Sequence, residues 1–139
     1  MKKIILISCV SKKLENTAKA KDLYTSPLFK RNLQYAESLN PDMIFILSAK
    51  YGLLGLNDEI EPYNFTLNDL DSAEIKEWAD EVFEQIQRVS DTEKDEFVFL
   101  AGNNYRKFLV PHLKYYSVPM QGLAIGKQLQ WLANKIRNE

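Results

Sequence analysis

Three unbroken apolar runs constrain this chain more than any other feature: residues 3–9 (KIILISC), 43–48 (MIFILS) and 96–101 (EFVFLA). A strand with one wet face alternates apolar and polar residues. A continuous run calls for burial on both faces, the condition of a strand inside a parallel sheet. Helical patterns lie between the runs. Ser26-Pro27 supplies an N-cap and a first-turn proline for a helix that buries Phe29, Leu33, Ala36 and Leu39 and ends at Asn40-Pro41. Asp71 and Glu74 form a capping box. After it Ile75, Trp78, Ala79, Val82, Phe83, Ile86 and Val89 recur at helical spacing. A further helix starts near Tyr105 and bends or restarts at Pro111. Residues 115–119 read as a short fourth strand, and a final helix buries Ile125, Leu129, Leu132, Ala133 and Ile136. The alternation predicts an α/β fold, three-layer α/β/α, with a mainly parallel sheet of about four strands.

Composition removes several classes. The 139 residues fit a single α/β domain spanning 1–139. No apolar run approaches the roughly 20 residues that span a bilayer. The opening residues read as a strand and not as a signal peptide, because Ser11-Lys12-Lys13 stands where a small-residue cleavage site belongs. A lone cysteine, Cys9, excludes an intrachain disulfide framework and suits a reducing cytoplasm. With a single histidine, His112, it argues against a His/Cys zinc site. A carboxylate-bound Mg²⁺ stays open, but no metal and no cofactor is assigned. Net charge is −1, unevenly spread. Residues 1–31 carry eight Lys/Arg against two acids, residues 57–96 three against fourteen, and residues 97–139 six against one. Basic ends brought together by the fold make a surface suited to phosphates; the alternative is solvated faces of differing sign.

Ligands of open parallel sheets bind at the carboxyl ends of the strands. Those ends are predicted at Cys9-Val10-Ser11-Lys12, at Ser48-Ala49-Lys50-Tyr51-Gly52, at Gly102-Asn103-Asn104-Tyr105 and at Gln121-Gly122. Lys12, Lys13 and Lys50 stand there to bind an anion, with lysine nucleophilicity as the less favoured reading. Gly102-Asn103-Asn104 opens a helix whose free N–H groups suit an anion. Gly52 and Gly122 allow close backbone approach. Tyr24, Tyr51, Tyr63 and Tyr105 lie in or beside the same loops, and interleaved with lysines they suit stacking on a base. Asp22, Glu59 and Glu61 are the candidate carboxylates for positioning water, or else loop ion pairs. Asn103, Asn104 and Gln128 either read base edges or tie loops. Cys9 reads as an inert buried thiol, and His112 falls far from the predicted strand ends.

The ordered motifs SCVSKKL (8–14), DLYTSPLF (22–29), ILSAKYGLL (46–54), PYNFTL (62–67), LAGNNY (100–105) and GLAIGKQLQWL (122–132) resemble a family of small bacterial and phage proteins known as a domain of unknown function. Where that family has Pro-Tyr-Asp, this chain carries Asn64. A more distant likeness links Cys9, Ser11, Lys12, Lys13, Tyr24 and Ser26 to the active-site stretch of archaeosine synthase. That enzyme acts on a modified base in tRNA and has a core similar to uracil-DNA glycosylase. In it Cys, Lys, Tyr and Ser are more tightly spaced and a His follows; here about a dozen residues intervene and Phe29 stands in the place of the His. The resemblance implies a Rossmann-like or uracil-DNA glycosylase-like sheet and a nucleobase pocket.

These readings predict a nucleobase- or nucleotide-directed enzyme acting at an N-glycosidic bond, with a nucleotide or nucleic acid as partner and no membrane. Lys12, Lys13 and Lys50 would hold phosphate or stabilise the leaving base. Tyr24 and Tyr51 would stack, and Asp22 or Glu61 would position water. One alternative is a non-catalytic nucleotide-binding module, as in phage–host conflict. Another is a protein-interaction domain using the acidic helix 72–89.

Overall fold

The computed structural model of the chain describes residues 1–8 and 13–137. The expectations placed on Cys9, Ser11 and Lys12 lie outside the described residues. In chain order the elements are β1 (Lys3–Ser8), β2 (Ala18–Lys19), α1 (Ala20–Leu23), α2 (Pro27–Ser38), β3 (Met43–Ser48), β4 (Gly52–Gly55) and β5 (Glu59–Ile60). There follow α3 (Ser72–Val89), β6 (Glu96–Leu100), α4 (Asn103–Arg106), β7 (Tyr115–Ser117) and α5 (Ile125–Arg137), with 3₁₀ turns at Leu67–Asp69 and Val110–His112.

Five strands form one sheet in the order β4-β3-β1-β6-β7. β1 runs parallel to β3 and β6, and β7 parallel to β6; β4 alone is antiparallel, beside β3. The fold is therefore α/β with a mixed, mostly parallel sheet packed against helices. The apolar runs became the central strands because Ile4, Ile5, Leu6 and Ile7 of β1 are sealed on both faces. A strand beyond the expected four comes from β4, in a segment whose two glycines and short length read as loop. Ser48 pairs with Gly52 across residues 49–51, and Gly52 takes φ +75°, a left-handed conformation that closes such a hairpin. β2 and β5 make a separate small antiparallel pair inside the two long connections.

The helices begin as their capping residues dictate. Ser26 Oγ accepts the Phe29 N–H at the head of α2, and the Asp71/Glu74 capping box opens α3. Asn40, at φ 50°, closes α2 just before Pro41. The buried faces differ in detail from the spacing. In α2 the buried set is Phe29, Asn32, Tyr35 and Ala36, with Leu33 and Leu39 only half-buried. In α3 Phe83 and Val89 are half-buried. In α5 only Leu132 is fully buried, and Ile125 is 61% exposed, because α5 packs chiefly on α2. The helix expected from Tyr105 is one turn followed by the separate 3₁₀ turn at Pro111.

From β1 the chain first moves to β3 through α2, then crosses back to β6 through α3. α2 packs on β1 and α5, whereas α3 packs on β4 and α4, as crossovers of one hand running in opposite directions require. The strand order thus reverses at β1. At the opposite, amino-terminal edge two aspartates clamp β1. Asp95 accepts the N–H of Lys2 and of Asp91, both at 2.8 Å, and Asp42 accepts the N–H of Lys3 at 2.8 Å. The two amide bonds hold the Asp95 carboxyl below its ordinary value, Asp91 contributing most and then Lys2. No helix among the described residues is long and apolar enough to cross a membrane.

Candidate functional site

A cavity of about 440 Å³ opens at the carboxyl ends of β1 and β6, where the strand order reverses. This is the crevice in which open α/β sheets take their ligands, and its volume falls in the range of small-molecule sites. Ser8 ends β1 and forms part of the floor; Leu100, Ala101 and Gly102 carry the floor past β6. The first half of α2 supplies one wall through Ser26, Pro27, Phe29 and Asn32. The start of α5 supplies another through Ile125, Gln128 and Leu129. That wall is fixed by the Arg31 guanidinium, which donates to the Leu129 carbonyl at 3.2 Å, and by the edge-to-face pair Tyr35–Trp131 at 5.1 Å. Asn68, Asn103, Asn104 and Tyr105 complete the mouth.

The described lining mixes apolar surface with hydroxyls and carboxamides and contains no Lys, Arg, Asp or Glu. Several of its polar groups are already engaged. Ser8 Oγ accepts the Gly102 N–H at 3.1 Å. Asn104 Nδ2 donates to Asn68 Oδ1 at 2.7 Å, and Gln128 Nε2 donates to the Leu123 carbonyl at 2.8 Å. Tyr105 Oη accepts the Leu67 N–H at 3.3 Å, while its ring meets Trp78 edge-to-face. Asn32 differs from these: it is 2% exposed, and its buried Oδ1 has no hydrogen-bond partner among the described residues. An adjoining compartment of about 210 Å³ shares Gly102, Asn103 and Gln128 and adds Arg106, whose Nε donates to the Ala101 carbonyl at 3.2 Å.

Three of the four expected tyrosines come together beside this cavity. Tyr24 and Tyr63 hydroxyls lie 2.6 Å apart, and Ser48 Oγ donates to Tyr63 Oη at 2.9 Å while accepting the Tyr51 N–H at 3.1 Å. Tyr51 donates its hydroxyl to the Glu61 carbonyl, and Trp78 Nε1 donates to the Ser48 carbonyl at 2.9 Å. The Tyr24 ring packs on Phe29, which lines the cavity, and on Tyr63. Tyr24 is 1% and Tyr63 8% exposed, so these rings are enclosed by protein. The Lys13 ammonium sits 4.5 Å from the Tyr63 ring centre and 5.8 Å from that of Tyr24.

Other expected residues lie elsewhere. Asp22 on α1 and Glu61 after β5 are exposed, and neither lines the cavity; Asn64 is exposed as well. Lys50 lies over the Tyr51 ring at 5.2 Å and borders a separate groove of about 450 Å³. That groove holds Glu74, Glu77, Glu81 and Glu84 of α3, so Lys50 faces the acidic part of the molecule. The close approach at Gly52 is made by the Gln85 side chain, whose Oε1 accepts the Leu53 N–H at 2.9 Å and would collide with any Cβ there. Gly122 has φ +85° and open space around it. His112 is exposed and stacks on Phe83 at 4.7 Å. Among the described residues no group of three or more His, Cys, Asp or Glu is arranged to hold a metal ion.

Ser8, Asn32, Asn68 and Arg106 escape a reading by motifs. Asn32 alone left a mark in the sequence, as a carboxamide three residues after Phe29 and four before Ala36 on the buried face of a helix. Comparison with known proteins adds one finding. No curated protein and no solved structure matches the chain. A family model described as a family of unknown function (DUF6884) matches residues 4–134, strands, cavity walls and tyrosine cluster together, and the chain belongs to that family.

Proposed function

We propose that the chain recognises a nucleobase or nucleotide, held in the cavity between β1 and β6. The observation that carries this reading is the lining: hydroxyls and carboxamides set between apolar walls, with no ionised side chain among the described residues. Such a surface suits a flat, neutral heterocycle, whose faces want apolar contact and whose edges want both donors and acceptors. Arg106 in the adjoining compartment offers a cation for a phosphate. Cleavage of an N-glycosidic bond is the finer reading. It needs a carboxylate to activate water or steady the oxocarbenium charge, and Asp22 and Glu61 lie exposed outside the cavity. The geometry therefore favours recognition over cleavage.

The test is a binding panel of nucleosides, nucleotides and single-stranded DNA and RNA, titrated against salt, with products followed by mass spectrometry. The expected result is saturable binding with a shallow salt dependence, because no Lys or Arg among the described residues lines the main cavity, and no released base. A steep salt slope would move the ligand to the basic surface. A released base would restore the glycosidic reading, and binding to none of the panel would end the proposal.

A further inference from the structure

Two buried residues of the cavity lining have hydrogen-bonding capacity left over among the described residues. Asn32 Oδ1 is an acceptor with no partner among the described residues, on a residue 2% exposed. A buried carbonyl left unpaired is unfavourable, and a core-facing helix position ordinarily takes an apolar side chain instead. Ser8 is the complement. It is 8% exposed, its Oγ already accepts the Gly102 N–H, and among the described residues nothing accepts its own hydroxyl hydrogen. Both line the same cavity, with Phe29, Leu100 and Leu129 supplying apolar walls.

We infer that Asn32 and Ser8 together read a lactam edge, a ring N–H beside a ring C=O. The N–H donates to Asn32 Oδ1, and the carbonyl oxygen accepts from Ser8 Oγ–H. This rests on the reading of the cavity as a nucleobase site and narrows it to oxo bases. Uracil, thymine, hypoxanthine and guanine present such an edge. Neutral adenine and cytosine present an acceptor nitrogen where the N–H would be, which would face the Asn32 oxygen lone pair to lone pair. Discrimination of this kind is strong, because the wrong ligand leaves the protein's buried polar groups unpaired.

Titration calorimetry of the full chain with uridine, inosine, 3-methyluridine, cytidine and adenosine tests the inference. Uridine and inosine should bind at least about tenfold tighter than the other three, and Asn32→Leu and Ser8→Ala should each remove that margin. Melting of ligand-free Asn32→Leu gives an independent readout. Its Tm should equal or exceed that of the parent chain, because an apolar side chain of similar size replaces an unpaired amide. Equal affinity for uridine and 3-methyluridine would overturn the lactam reading and leave base recognition standing. Failure of all five nucleosides to bind at millimolar concentration would overturn both. A lowered Tm for Asn32→Leu would show that the amide serves the fold, and would overturn its assignment to a ligand.

Discussion

At the amino-terminal edge of the sheet, each strand flanking β1 is preceded by an aspartate that closes a backbone amide of the β1 approach, Asp42 on Lys3 and Asp95 on Lys2. At the carboxyl edge, β1 and β3 end instead in buried serines, each accepting one loop amide, Gly102 on Ser8 and Tyr51 on Ser48. The carboxylates accept, carry charge, and need nothing more. The hydroxyls accept one bond and retain a hydrogen to give. Ser48 gives its hydrogen to Tyr63; among the described residues Ser8 has no acceptor for its own, and it lines a cavity that Asn32, whose Oδ1 is unpaired among those residues, lines too. One edge is saturated and structural. The other retains polar capacity that folding alone does not use, and buried capacity of that kind is what a ligand can satisfy.

The contrast can be broken at four points. The largest effect belongs to Ser48→Ala. It strands the Tyr51 N–H and takes one donor from the buried Tyr63 hydroxyl, which keeps its bond with Tyr24, and should cost about 3 kcal/mol in urea unfolding. A cost near zero would mean that the hydroxyl cluster does not hold the carboxyl edge together. Asp95→Asn comes next, at about 2 kcal/mol at neutral pH, since one of its two amide bonds loses its acceptor and the other its charge. Its folded pKa lies below the ordinary 3.8, so the stabilisation is fully present above that value and is lost as pH falls through the lower folded value. Melting curves of parent and variant should converge in that acid window and stay apart above it. Ser8→Ala removes the acceptor of an amide on the exposed Gly102, and about 1 kcal/mol is expected. Asn32→Leu closes the series with no loss or a small gain, the sign opposite to that of Asp95→Asn, because Asn32 Oδ1 has no partner to lose.

The sheet centre was legible in the sequence, because burial on both faces writes itself as an unbroken apolar run. Helix starts were equally plain, since Ser26-Pro27 and Asp71/Glu74 act within one turn of chain. β4 was not, because two glycines carry no β signal and only pairing with β3 makes Gly52–Gly55 a strand. The tyrosine cluster was half legible: its members stood in the right loops, but the hydroxyls of Tyr24 and Tyr63 face one another inside the protein, and that of Tyr51 goes to the Glu61 carbonyl. Asp22, Glu61 and Lys50 illustrate the limit of loop proximity. A carboxylate or ammonium close in sequence to a strand end is placed by the path of its loop, and these three paths lead outward or toward α3. Asn32 and Ser8 were hidden for the opposite reason. Each sits inside a regular element, where a single polar residue gives no motif, and its role depends on what the neighbouring elements leave unpaired.

The central claim, that the ligand of this protein enters at the carboxyl ends of β1 and β6, is tested most directly by amide chemical-shift mapping with uridine monophosphate. Saturating shifts should centre on Ser8, Asn32, Gly102 and Gln128, while Lys3, Asp42 and Asp95 at the other edge stay still. Shifts centred on the acidic groove of α3, or none at millimolar ligand, would contradict it.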